Sequence, residues 1–324
     1  MSDNNGSYDF LPVEIANDIL LRLPTKSLIT CICVCKTWKS LIQNPTFIST
    51  HLHLSINNNN NHHLLFGFGS WPQESYALHN DDDDDCTQHT RFDFPLLVPE
   101  LGPLNGYLSL VGTCNGLICF FNELSSYEID TFFLWNPCVR RFVILPSPNV
   151  TLRTHGELVR FIGFGFGFDA KTKDYKVVRL VTYWDNPNIP SDRPVVEVYS
   201  LATWRMENGC CFASHMRTGA YDAHYFILAF DLGDEVFREI LLPEELSYTR
   251  LLCFREVFIP LPRGFRRNGE VVLIVDDEGK HVSMDLENQK MKDLMLDSSV
   301  SYFIDSYVES LLLLDKPANV AVTY

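Results

Sequence analysis

The residues with catalytic potential are scattered along the chain. His155, His215, His224 and His281 lie far apart, and none has a serine, cysteine or acid at a spacing that builds a nucleophile with its base. Cys210-Cys211 is a vicinal pair that reads as turn thiols rather than a redox site. Cys31, Cys33 and Cys35 alternate, so on a helix they point in different directions and cannot share a metal. His62-His63 has no further ligands at zinc spacing. Asp81 to Asp85 is an unbroken acidic run without the spaced ligands and turn glycine of a calcium loop, and it reads as solvated acid. GFGFGFD, from Gly163 to Asp169, has the glycine content of a nucleotide loop but the wrong spacing. Its glycines alternate with Phe164, Phe166 and Phe168 at the period of a strand, and AKTKDYKVVRL then makes a turn and a return strand. The expectation is a binding protein with no catalytic residues, no cofactor and no metal.

Composition narrows the partners. At 324 residues and 46% apolar content there is chain for one large domain and a small one. The net charge of −15, with no basic stripe, argues against nucleic acid and favours a basic partner. The first ten residues are polar, with no basic region followed by an apolar one, so no secretory signal is expected there. SLLLLD near the C-terminus is too short to span a bilayer, so no membrane span is expected. Ten scattered cysteines then read as reduced thiols, which places the chain in the cytosol or nucleus.

Two kinds of element must carry whatever is bound. Between Phe10 and Leu52 the pattern is helical. Ala16, Ile19, Leu20 and Leu23 follow an i, i+3, i+4, i+7 spacing, with Pro12 and Glu14 suited to the first turn. Pro24 ends this helix, and Thr25 offers a cap for a second, whose buried stripe is Leu28, Cys31, Ile32 and Cys35. Trp38, Leu41 and Ile42 carry a third, and Pro45 stops the run. Three short helices cannot bury all of this surface among themselves. Leu11, Ile15, Ile19, Leu23 and Leu28 are left as an apolar strip, which either packs on the rest of the chain or meets a partner.

Residues 57–85 are low in complexity, with NNNNNHH and DDDDD, and read as a loop or disordered excursion. Beyond them one design recurs: an apolar strand, a small polar residue, a charged turn, then an amphipathic strand. It appears around Asn136, Ser200, Asp231 and Asp285, and Asn115-Gly116 marks a two-residue hairpin. Repeated hairpins of this kind suggest a β-propeller or similar radial array.

LPVEIANDILLRLPTKSLITCICVCKTWKSLI resembles an F-box almost position by position, and Pro45, Phe47 and His51 continue the likeness in the manner of plant members. CNGLICF, LWNPCVRRFVILP, FGFGFDAKTKDYKVVRLV, VEVYSLATWRM, FILAFDLGDEVFREILLP and YVESLLLL resemble, in order, the F-box-associated interaction domain of plants, the group that includes S-locus F-box proteins. The implied fold is α+β and multi-domain. A three-helix F-box occupies residues 8–52, a linker with the first strands 53–107, a kelch-like propeller domain 108–316 and a tail 317–324. The resemblance implies docking on a Skp-type adaptor and, through it, on the cullin and RING subunits of a ubiquitin ligase. Leu11, Pro12, Ile15, Ile19, Leu20, Leu23, Pro24, Leu28, Val34, Trp38, Leu41 and Ile42 would form the adaptor face. The target, an unidentified and basic protein, would meet the blade loops near Trp184, Glu207 and Asp222. Alternatives are a glycan- or glycoprotein-binding propeller, for which Trp71 and Trp184 suit sugar faces, and a degenerate copy. Two gaps support the last: the stretch from Trp204 to Phe226 is short, and a strand pair between Pro243 and Pro262 is missing. Ser200 and Asp231 stand only 31 residues apart, below the roughly 40–45 of a four-stranded blade.

Overall fold

The computed structural model describes residues 11–58, 62–68, 75–81, 88–93, 107–123, 131–146, 159–183, 195–202, 205–209, 226–241, 261–274, 280–294, 301–316 and 320–321. Four helices come first: α1 (Val13–Leu21), α2 (Thr25–Cys31), α3 (Lys36–Ile42) and α4 (Pro45–Asn57). The fourth corrects the three-helix expectation. Pro45 begins a helix rather than stopping one, because its missing N–H is harmless in the first turn, and Asn44 Oδ1 caps it by accepting from Thr46 N at 2.8 Å. Thr25 is likewise not a cap; it is the first helical residue and is buried, and Pro24 precedes it without a side-chain bond.

Antiparallel sheets follow. The first joins β1 (His62–Phe68), β2 (Ser75–Asn80) and β3 (Gln88–Asp93) to β18 (Ser301–Val308) from the far end of the chain, in the order β18-β1-β2-β3. The second holds β4 (Tyr107–Cys114), β5 (Leu117–Glu123), β6 (Thr131–Asn136) and β7 (Arg141–Ile144), with β19 (Val320–Ala321) on the edge of β7. The third is β8 (Val159–Asp169), β9 (Asp174–Tyr183), β10 (Val195–Ser200) and β11 (Arg205–Gly209). The fourth pairs β12 (Phe226–Asp231) with β13 (Val236–Leu241), and the fifth is β14 (Leu261–Phe265), β15 (Val271–Ile274), β16 (His281–Met284) and β17 (Met291–Leu294). The innermost strands run side by side, β14 next to β18, β18 next to β4 and β4 next to β8. Among the described residues this is a shortened propeller, whose fourth sheet has two strands where the others have four or five.

The recurring small polar residue now has a mechanism. The side-chain oxygen of Asn136 accepts from Cys138 N, that of Asp169 from Lys171 N, that of Asp231 from Gly233 N and that of Asp285 from Glu287 N, all at 2.8–2.9 Å. Four residues after each stands a positive φ, at Arg140, Lys173, Glu235 and Gln289. Each is the same four-residue hairpin loop, closed by an Asx turn and ended by one left-handed residue. Ser200 is the exception, since there Asp174 closes the turn by accepting from Ala202 N at 2.7 Å.

Aromatic side chains fill the space between sheets. Phe120 stacks on Phe133 at 5.2 Å and meets Tyr76 edge-on, with Trp135 and Tyr307 in the same cluster between sheets one and two. At the centre Gly264 lets β14 approach β18, because a Cβ there would lie 1.7 Å from Ile304 O. Asp305 then joins three strands, accepting from Thr113 N at 3.0 Å, Phe265 N at 3.2 Å and Ser306 N at 2.9 Å. Its loss of water outweighs these bonds and pushes the carboxyl up to about 6.

Two expectations for 57–85 do not hold. The stretch carries β1 and β2, with Leu64, Leu65 and Tyr76 wholly buried, because the polar runs flank short continuous apolar runs at residues 64–66 and 76–78. Asp81 is no solvated acid. Arg266 Nε donates to it at 2.9 Å, and the pair ties the first sheet to the fifth.

Candidate functional site

The helical module divides its apolar residues between two faces. Pro12, with extended ψ, turns the chain into α1, and Ala16 N donates to Pro12 O at 3.0 Å. Within α1, Ala16 and Leu20 point inward. Leu20, Leu28, Ile42, Phe47 and Ile48 form a core with Leu311 and Leu314 of the C-terminal segment, so the helices do pack on their own β domain. That packing leaves the other face bare. Leu11, Val13, Ile15 and Ile19 are 54%, 51%, 48% and 46% exposed, with Ile15 and Ile19 one helical turn apart.

The sequence-derived docking set is therefore split. Leu11, Pro12, Ile15, Ile19, Pro24 and Val34 are exposed. Leu23, Trp38 and Leu41 are half-buried against the helical core and show only an edge. Leu20, Leu28 and Ile42 are 0% exposed, which corrects their assignment as contact residues; they shape the face from behind. Ile19 and Leu20 are adjacent in sequence, and periodicity alone does not say which of two neighbours faces the core. Val13 joins the exposed face and was outside the sequence-derived set.

Cap and ring interactions hold the face in place. Cys35 Sγ accepts from Trp38 N at 3.4 Å at the start of α3. His51 on α4 is stacked on Phe47, and its Nε2 lies 3.0 Å from Leu23 O, in the turn between α1 and α2. Burial holds the His51 ring below its ordinary value, with the bond to Leu23 opposing; His51 Nδ1 is buried with no hydrogen-bond partner, so a second proton is unwelcome.

Of the expected target-contact residues, Glu207 is among the described ones. Glu207 lies within β11, opposite Val198, and not on a loop. Trp184, Asp222, Trp71 and Cys210-Cys211 lie outside the described residues, as do His155, His215 and His224. His281 is buried in β16. Among the described residues no three His, Cys, Asp or Glu side chains converge to hold a metal, and no helix is long and apolar enough to cross a membrane.

Comparison with known families decides the matter. Residues 9–50 match the F-box domain, and residues 68–255 match the F-box associated beta propeller domain, which is more than half of the chain. The chain belongs to the F-box proteins. Similar proteins in Arabidopsis thaliana include an F-box/kelch-repeat protein, 29% identical over 252 residues that are 71% of this chain and 65% of the relative. F-box protein CPR1 is 28% identical over 173 residues, 53% of this chain and 38% of CPR1. A further F-box protein is 29% identical over 285 residues, 74% of this chain and 62% of the relative. The F-box chain thus spans less than two thirds of the length of each of these relatives. Among solved structures, TolB from Acinetobacter baumannii aligns at a TM-score of 0.37 and 9% identity, covering 80% of this chain and 59% of TolB.

Proposed function

We propose that this chain is a non-catalytic substrate receptor of an SCF-type cullin-RING ubiquitin ligase. The exposed face of α1 docks on a Skp-type adaptor, the propeller holds a target protein, and the ligase modifies the target's lysines for proteasomal degradation. The receptor contributes proximity rather than bond chemistry. One observation carries the reading: in a module that already has an inner core, Leu11, Val13, Ile15 and Ile19 stay about half exposed on one short segment. Contiguous apolar surface of that kind marks a protein interface. The cytosol and nucleus, where such ligases work, suit an F-box chain with ten cysteines. The charge of −15 favours a basic target, whose affinity falls as salt rises.

The test is replacement of Ile15 and Ile19 by Asp in the full chain, followed by measurement of binding to a purified Skp-type adaptor. The expected result is a loss of at least about 100-fold in affinity, as buried anchors dominate such interfaces, with the thermal melt unchanged. Wild-type affinity in that variant overturns the reading.

A second reading, the degenerate copy, has behind it a fourth sheet that is two-stranded among the described residues. Against it, that sheet is not loose. Lys176 Nζ on β9 reaches Leu232 O at 3.0 Å, Glu235 at 2.9 Å and Asp169 at 3.0 Å, and Lys171 pairs with Asp234. The Thr172 hydroxyl and Lys176 hold the Asp169 carboxyl well below its usual range, so this polar clamp is charged at neutral pH.

A further inference from the structure

The run SLLLLD at residues 310–315 plays no part in adaptor docking as read above, yet it sits between the two domains and divides its side chains between them. Leu311 and Leu314 enter the helical core, whereas Leu313 enters the core shared by sheets two and three. Leu313 takes φ +70°, a left-handed residue within the turn that carries these side chains into separate cores.

The last residue pair of the β6–β7 hairpin holds the backbone of this run. Asn136, fully buried, donates through Nδ2 to Ser310 O at 3.1 Å and to Leu312 O at 2.9 Å. Arg141 Nη1 faces three carbonyl oxygens, Leu313 O at 3.2 Å, Leu314 O at 2.7 Å and Lys316 O at 2.6 Å. A second, separate anchor lies at the far end of α4, where Arg267 Nη2 donates to Ile56 O at 3.4 Å. One anchor leaves a pivot; two anchors on different sheets restrict rotation about it.

We propose that Arg141 is a positioning residue, which locks the 310–316 turn as a bracket and so fixes the angle between the α1 face and the propeller. The inference rests on the receptor reading, because that angle then decides which lysines the ligase reaches. In the transfer itself a neutral lysine Nζ attacks the thioester between ubiquitin and the conjugating enzyme, an isopeptide bond forms, the C–S bond breaks, and the cysteine thiolate leaves and takes up the proton that the amine loses. Arg141 touches none of these atoms. Its effect is on orientation, to which proximity catalysis is sensitive.

The experiment uses the full chain with purified Skp-type adaptor, cullin and RING subunits, conjugating enzyme and ubiquitin, and maps the lysines of the receptor that become modified. Wild-type receptor should bind adaptor and show a narrow set of modified lysines. Arg141→Ala should keep adaptor affinity within about twofold, spread modification to further lysines and slow the favoured ones about five- to tenfold. Arg141→Lys, which keeps a donor cation, should restore most of the wild-type pattern. If Arg141→Ala melts early, Leu311→Ser with Leu314→Ser, which spares the propeller turn, should give the same spread. An unchanged lysine pattern and rate in a folded variant overturns the proposal, as does a fall in adaptor affinity that matches the fall in rate. Failure of wild-type receptor to bind adaptor would instead overturn the receptor reading before any variant is made.

Discussion

The cluster between sheets one and two and the outward face of α1 are made of the same kind of residue and meet opposite fates. Phe120, Phe133, Trp135, Tyr76 and Tyr307 are at most 3% exposed, each covered by strands of the same chain. Leu11, Val13, Ile15 and Ile19 are about half exposed, because among the described residues no second layer covers that side of α1 and the residues before it. A sheet in a radial array has neighbours on both faces, whereas a helix at the rim has one. The apolar residues of the propeller serve its own packing, whereas those on the outward face of α1 do not.

That contrast can be broken or sharpened in graded steps. Truncating Phe120 to Ala should have the largest effect, a loss of roughly 3–5 kcal/mol of unfolding free energy by denaturant titration, as a cavity opens in a packed aromatic cluster. Next comes the cross-strand pair of Arg179 and Glu197, 2.8 Å apart and at most 1% exposed. Glu197→Gln should cost about 3 kcal/mol by removing the opposite charge from a buried cation, and replacing both partners with apolar residues should recover most of it. A double-mutant cycle on thermal stability measures the difference.

Acidification should act on the helical module more gently. The unfolded His51 ring titrates near 6.5, whereas the folded ring resists the proton. As pH falls below about 6.5, the unfolded chain is protonated first and stability drops, until the lower folded value is passed. Hydrogen exchange in α4 at pH 7.5 and 5.5 should show the loss, and His51→Gln should flatten it. Smallest in stability is Ile19→Ala, which should change the unfolding free energy by less than about 0.5 kcal/mol, as exposed positions do. The same change should weaken adaptor binding about tenfold, roughly 1.4 kcal/mol. An equal effect of Ile19→Ala on stability and on binding would erase the distinction between the two regions.

Local chemistry was legible in the chain. Asn136, Asp231 and Asp285 were marked as turn residues by their neighbours, since an Asx side chain bonds backbone two residues away and needs no distant partner. GFGFGFD was marked as a strand by its period, and it forms β8. Pro45 was ambiguous, because proline both ends and begins helices; the Asn44 cap beside it was the signal that favoured a beginning.

The sequence by itself determined the first three helices and most of the later strands, where most hairpins close, and that one helical face is apolar beyond what the module needs. Those are consequences of period, φ restriction and short-range hydrogen bonds. Only the tertiary structure decided that Leu20 is buried and Ile19 exposed, that Asp81 meets Arg266 across 185 residues, and that Leu311 and Leu314 complete the helical core. Burial depends on which surface arrives from elsewhere in the chain. That surface is set by β18 pairing with β1 across more than two hundred residues, a contact that no local pattern records.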